Sequence, residues 1–203
     1  MDPTSEDLKL FAQKRDWYER NDKPENRDRI MREFAARRSY VHFPIHGEIL
    51  EGFERGRLEI GENSHLEPHC WITMNLETGH VKIGNGCFLN IGTMIAAQDS
   101  VKIGDHCMFG NGFFVGDAAH NYDDPSTPIT TQGFTSKGPV TIGDNCWFGV
   151  HCAVLPGVTV GNRVVVGSNS VVTHDLPDGV IAAGVPAKVI REIDFKPTPA
   201  QRT

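Results

Sequence analysis

Three stretches lie on one another almost letter for letter: Val81–Phe88 reads VKIGNGCF, Val101–Phe109 reads VKIGDHCMF and Val140–Phe148 reads VTIGDNCWF. Behind them runs a six-residue beat of aliphatic or aromatic residues at Ile60, Leu66, Ile72; Ile83, Leu89, Ile95; Ile103, Phe109, Val115; Ile142, Phe148, Val154; and Val160, Val166, Val172. One such repeat cannot bury its own apolar face and must stack on copies of itself. Six residues are too few for a helix pair and match a short strand plus a tight turn, three to a coil, which is the hexapeptide form of the parallel β-helix. The beat residue points inward, and the glycine that often follows it tolerates the backbone of the turn.

The fifth position of each hexapeptide fits this frame. Ser64, Cys70, Cys87, Thr93, Cys107, Ala119, Cys146, Cys152, Val158, Val164 and Ser170 stand there, nearly all small, with Phe113 and Asp99 the exceptions. Small residues are needed where neighbouring corners crowd into a prism interior. All five cysteines fall on this position, so they read as small buried residues. Their odd number, the lack of a CxxC pair and the lack of an apolar N-terminal run resembling a signal peptide point to a reducing cytoplasm. No window approaches the ~18 consecutive apolar residues of a membrane span.

The net charge is −6, unevenly spread: ten of the twenty Lys and Arg lie before residue 41 beside nine acids, leaving ten basic and seventeen acidic residues in the rest. An acidic surface with no basic run argues against nucleic acid as a partner. The 203 residues suit one elongated domain with an appendage. The organisation expected is a helical cap and lead-in over 1–57, a β-helix over 58–180 with a loop excursion at 120–139, and a C-terminal segment over 181–203 carrying a short helix. In the cap, Ser5 followed by Glu6 and Asp7 reads as an N-cap with acids in the first turn, and Leu8, Phe11, Ala12 and Trp17 make a loose apolar stripe. A second helix runs from Pro24 to about Arg38 and buries Ile30, Met31 and Phe34; together the helices cover an open strand edge. Residues 41–57 read as irregular lead-in.

The beat breaks twice. Between Ile72 and Ile83 lies a short insertion, MNLETGHVK. The larger break follows Ile103: the next matching position is Ile142, 39 residues on instead of the 20 between Ile83 and Ile103, so about 19 residues loop out. A loop this long in a compact solenoid is usually functional.

The frame, the excursion GDAAHNYDDPSTPITTQGFTSKGP and the closing signature IGDNCWFGVHCAVLPGVTVGNRVVVGSNSVVTHDLPDGVIAAGVPAKVIREI resemble the left-handed β-helix acyltransferases, in the branch of galactoside, maltose and polysaccharide O-acetyltransferases. The similarity covers about residues 58–193, and the helical N-terminus departs from the maltose acetyltransferase pattern, which leaves the acceptor open. The resemblance implies an all-β solenoid, a left-handed parallel β-helix; general rules of chain crossover favour the right-handed sense.

His120 is the one histidine at the junction of repeat and excursion, whereas His106 and His151 fall at fourth positions and read as solvated turn residues. An imidazole can take a proton from an acceptor hydroxyl or amine near neutral pH and release it to attack a thioester carbonyl; in the family, the histidine opening this loop is that base. Asp117, Asp123 and Asp124 are candidates to orient its ring. Asn90, Tyr122 and Asp123 are assigned to the acceptor, with Gly92 an alternative to Asn90 for the family's asparagine position. Lys188 and Arg191, in GVPAKVIREI just after the last coil, suit the phosphates of acetyl-coenzyme A. The resemblance adds Ser168 and Thr173 along the pantetheine arm, places His174 where a lysine is frequent, and puts Trp147 beside the groove. Backbone amides of the Trp147–Gly149 turn, Gly149 among them, are candidate donors to an oxyanion.

These readings combine into a homotrimeric acetyltransferase using acetyl-coenzyme A as co-substrate, with a hydroxyl of a sugar or sugar-containing molecule as acceptor and no metal required. Two alternatives stand beside it. A non-catalytic β-helix scaffold would need neither His120 nor the basic C-terminal signature. A metal lyase of the γ-carbonic anhydrase kind would need a close histidine pair near the loop; the chain offers His65 and His69, far from it.

Overall fold

The computed structural model describes residues 4–195. Within them the beat becomes three flat walls of short parallel strands. The first wall stacks Leu66, Leu89, Phe109, Phe148 and Val166 in register; the second stacks Ile72, Ile95, Val115, Val154 and Val172; the third stacks Ile60, Ile83, Ile103, Ile142 and Val160. All these side chains are at most 4% exposed, so one continuous core runs along the axis of a parallel β-helix. Phe113, the large residue at a fifth position, fills the interior against Phe109 and Phe148, with ring centroids 4.4 and 5.0 Å away.

The corners show why the repeat has its letters. Glycine after the beat residue does not adopt an unusual φ; it lets the next coil approach, since a Cβ on Gly61 would lie 2.6 Å from the Gly84 carbonyl carbon and one on Gly84 2.6 Å from that of Gly104. The left-handed backbone conformation falls instead on the fourth position, at Asn63, His69, His106, Asn145, His151, Arg163 and Asn169. At the third position a side-chain oxygen accepts the amide of the coil before: Glu62 N to Asn85 Oδ1, 2.8 Å; Asn85 N to Asp105 Oδ1, 2.7 Å; Asp105 N to Asp144 Oδ1, 2.8 Å; Asp144 N to Asn162 Oδ1, 2.8 Å; Asn162 N to Asp178 Oδ1, 2.7 Å. The Asn85 amide holds the Asp105 carboxyl below the usual carboxylate range. The fifth-position thiols are donors as well as fillers: Cys87, Cys107, Cys146 and Cys152 each place Sγ 3.1 Å from a glycine carbonyl of the next coil.

Both expected helices form, α1 over Ser5–Glu19 and α2 over Pro24–Ala36. Ser5 is the first helical residue, and the carbonyl of Thr4 accepts the Leu8 amide, so the cap position falls one residue earlier than expected. Ile30 and Phe34 are buried at the end of the prism, but Met31 is 44% exposed and is not part of that contact. The lead-in is not irregular: Tyr40–Val41 and His46–Gly47 already pair in parallel with the first and second walls, and a third helix, α3, runs over Ile49–Glu54. Among the described residues of the C-terminal segment no helix forms either, and 196–203 lie outside the described residues. Ala187–Glu192 is a strand, antiparallel to Val180–Gly184, because Gly184 at φ +108° turns the chain back on the last strand of the first wall. Among the described residues no helix is long and apolar enough to cross a membrane.

Candidate functional site

The three walls meet at three corners, and the two breaks described above, with a smaller one of two extra residues between Ile95 and Ile103, fall on one of them. From the second wall to the third the interval is 11 residues (Ile72 to Ile83), then 8 (Ile95 to Ile103), then 27 (Val115 to Ile142), and returns to 6 only at Val154 to Val160. Extra residues at the same corner of three successive coils stack there and enclose a cleft of about 410 Å³. Its lining comes from Thr73, Met74 and Asn75 of the first of these coils, Ala96, Ala97 and Gln98 of the second, and Ala118, Ala119, His120 and Phe134 of the third.

The excursion is a hairpin rather than an open loop. Ala118–His120 pairs antiparallel with Phe134–Ser136, His120 opposite Phe134, and their rings meet edge to face with centroids 5.8 Å apart. Asn121 braces the hairpin, donating from Nδ2 to the Gln132 carbonyl at 3.1 Å and accepting from Thr135 Oγ1 at 3.0 Å. At its root Asp117 is fully buried, and its carboxylate accepts the amides of Gln98, Asp99 and Ser100 at 2.6 to 2.7 Å. It therefore anchors the corner and is not the carboxylate that orients His120. Asp124 is likewise committed, to Ser126 and Thr127 at the hairpin tip, and the Ser126 hydroxyl and amide hold its carboxyl below the ordinary range. Among the described residues no carboxylate reaches the His120 imidazole.

The N-terminal cap is tied to two residues that line this cleft. Arg20, at the end of α1, lies 3.2 Å from Glu48 Oε1, and Glu48 Oε2 accepts Thr73 Oγ1 at 2.7 Å and the Met74 amide at 3.1 Å. Gln98, in the next coil, has its Oε1 buried without a hydrogen-bond partner. Thr73, Asn75 and Gln98 escaped the sequence reading because none of them carries a motif, and the short insertion that holds Asn75 suggests no chemistry by itself. The signal that marks them is the run of intervals 11, 8 and 27 at one corner.

The other predicted site residues lie elsewhere on the chain. Tyr122 and Asp123 are exposed on the excursion beyond His120, and neither lines the cleft. Asn90 stands at a turn leaving the first wall, half-buried, its carbonyl accepting Thr93 Oγ1 at 2.8 Å, and it does not line the cleft. Trp147 projects from the first wall and is 53% exposed. The amides of Trp147 and Gly149 are donated to the carbonyls of Val164 and Val166 in the next coil, at 2.9 and 2.8 Å, so the ladder consumes these two of the candidate oxyanion donors. Ser168 is exposed against Gly149, and Thr173 Oγ1 lies 2.8 Å from His174 Nδ1. Lys188 and Arg191 are exposed on the antiparallel strand that edges the first wall. A single chain thus carries the histidine cleft beyond the second wall and these basic and aromatic residues at or beside the first.

Residues 139–174 match the family model described as the hexapeptide repeat of succinyl-transferase. The chain is similar to the galactoside O-acetyltransferase of Escherichia coli (strain K12), 34% identical over 66% of this chain and 64% of that one. It is similar also to the galactoside O-acetyltransferase of Lactococcus lactis, 35% identical over 68% of this chain and 66% of the relative. The matched stretch therefore spans slightly less than two thirds of these relatives' own length. Among solved structures, a mutant of AntD, an N-acyltransferase from Bacillus cereus in complex with dTDP and coenzyme A, has a similar fold: TM-score 0.64 at 20% identity, over 77% of this chain and 81% of that one. A hexapeptide-repeat containing acetyltransferase from Vibrio cholerae matches with a TM-score of 0.50 at 26% identity, over 78% of this chain and 72% of that one.

Proposed function

The chain belongs to the hexapeptide-repeat acyltransferases, with galactoside O-acetyltransferase-like relatives, and on that premise we propose that it transfers an acetyl group from acetyl-coenzyme A to a hydroxyl of a sugar or sugar-containing acceptor. The observation that carries the reading is the corner cleft, because the three coils that depart from the repeat enclose it and His120 lines it beside Phe134. His120 takes the proton of the acceptor hydroxyl as its oxygen attacks the thioester carbonyl. The new C–O bond forms, the C–S bond breaks, and the thiolate of coenzyme A leaves and recovers the proton. No covalent acyl-enzyme is needed, and the five cysteines are too deeply buried to form one.

In this reading the donor lies along Trp147, Gly149, Ser168 and Thr173 with its phosphates toward Lys188 and Arg191, and the cleft of one copy faces the first wall of the next. Surface chemistry supports such an assembly. Apart from His65 and His46, the first wall projects Tyr40, Phe88, Met108, Trp147 and Val165, and the second projects Trp71, Met94, Phe114, Ala153 and Val171, whereas the third projects Glu59, Lys82, Lys102, Thr141 and Thr159. Two apolar faces and one polar face suit a closed homotrimer of left-handed coils, each copy burying two faces. The setting expected for it is the cytoplasm.

The test is release of coenzyme A from acetyl-coenzyme A across a panel of neutral sugars, sugar nucleotides and amino sugars. Turnover with hydroxyl acceptors is the expected result. Turnover confined to amino sugars would make it an N-acetyltransferase, and none with any acceptor would favour the scaffold.

A further inference from the structure

Away from the cleft, at the N-terminal end of the first wall, three side chains converge that the reaction does not use. His42 stands in the lead-in, with His65 and Glu67 in the first full coil, and one ligand atom from each lies within 4.8 Å of the others. His65 Nε2 is 3.2 Å from Glu67 Oε1. That nitrogen is buried, yet its alignment with the carboxylate gives it no hydrogen-bond partner. The His42 and His65 rings stack with centroids 5.0 Å apart and 13° between planes. Among the described residues no Lys or Arg pairs with Glu67, so its carboxylate is matched only by the imidazole. The backbone is fixed beneath the group, since the His42 amide donates to the Leu66 carbonyl at 2.9 Å.

We propose that His42, His65 and Glu67 form a binding site for a divalent transition-metal ion of the zinc class. Two imidazole nitrogens and one carboxylate are a donor set of intermediate softness, which favours zinc over calcium or magnesium, and three protein ligands leave a fourth position for water. In a tetrahedral site with bonds of about 2.0 to 2.1 Å, ligand atoms stand roughly 3.3 Å apart; the His65 to Glu67 spacing already meets this. Two near-parallel rings cannot share one ion until one of them turns, and His42, exposed on the lead-in of the single chain, has the room there. Because His42 enters from before the first coil, the ion would clip the lead-in to the β-helix and its binding would add to folding stability.

Calorimetric titration of the metal-stripped protein with zinc alone tests the site. One ion per chain should bind with a dissociation constant of micromolar order or tighter, and zinc should raise the melting temperature. His65→Gln and Glu67→Gln should each weaken binding at least tenfold and abolish the thermal shift. His42→Gln, at an exposed position, carries the same expectation should the half-buried variants fold poorly. His151→Asn, at a solvated turn, should leave binding unchanged. Wild-type affinity no tighter than that of the His42 variant, or equal loss in His151→Asn, would overturn the proposal.

Discussion

His120 is exposed at the end of a three-residue strand, and what surrounds it is a hairpin partner and an apolar cleft rather than a charged neighbour. As the proposed base it would act through position. His120→Ala should therefore lower turnover by about 10²- to 10⁴-fold while leaving the Michaelis constant for acetyl-coenzyme A nearly unchanged; a variant with wild-type turnover would move the chemistry elsewhere. The thiols make the opposite case, chemically capable groups that burial silences. Each is at most 1% exposed, and burial pushes the Cys70 thiol up to about 12. Since a reagent must reach the sulfur and all five are buried, titration with a disulfide reagent near pH 8 should find no reactive thiol in the folded protein and all five after denaturation.

At the scale of elements, the glycines that follow the beat residues set the coil spacing. A methyl group at Gly61 would meet backbone of the next coil at 2.6 to 2.7 Å, and backbone there cannot move aside without disturbing every coil above. Gly61→Ala should cost about 1 to 3 kcal/mol, read as a melting temperature lower by several degrees. The C-terminal strand bears the donor proposal. Replacing both Lys188 and Arg191 with Ala should raise the Michaelis constant for acetyl-coenzyme A tenfold or more, since charge-assisted bonds are worth ~1.5 to 3 kcal/mol each; lower thermal stability with an unmoved constant would make them structural. The walls were legible in the sequence because every coil repeats the same inward residue, and neighbouring copies confirm one another. The hairpin of the excursion was not, because its pairing of Ala118 with Ser136 occurs once and leaves no period. The strand Ala187–Glu192 was not legible either, because its apolar residues, Val189 and Ile190 among them, stay exposed and follow no burial pattern. Within the site, His120 stood out by its place at the break, whereas Thr73, Asn75 and Gln98 acquire meaning only when three coils are stacked.

At the scale of the whole molecule, the two apolar faces predict association. Light scattering at micromolar concentration should give a mass near three times the 22.4 kDa of one chain; a monomer would sink the shared-site reading. The corner ladders also make stability local, since the Asp105 bond strengthens the stack above its lowered pKa and is lost as pH falls through it. The ends of the stack carry a different consequence. Each coil displays to the next the same amides, carbonyls and apolar row, so an uncapped stack is a template that any further coil, from any copy, could extend. α2 lies over one end, and at the other the antiparallel Ala187–Glu192 presents an edge of the wrong sense for a parallel coil. In the language of polymerisation these two elements are chain terminators, and they make a discrete molecule from a repeat whose own bonding would otherwise grow a fibre.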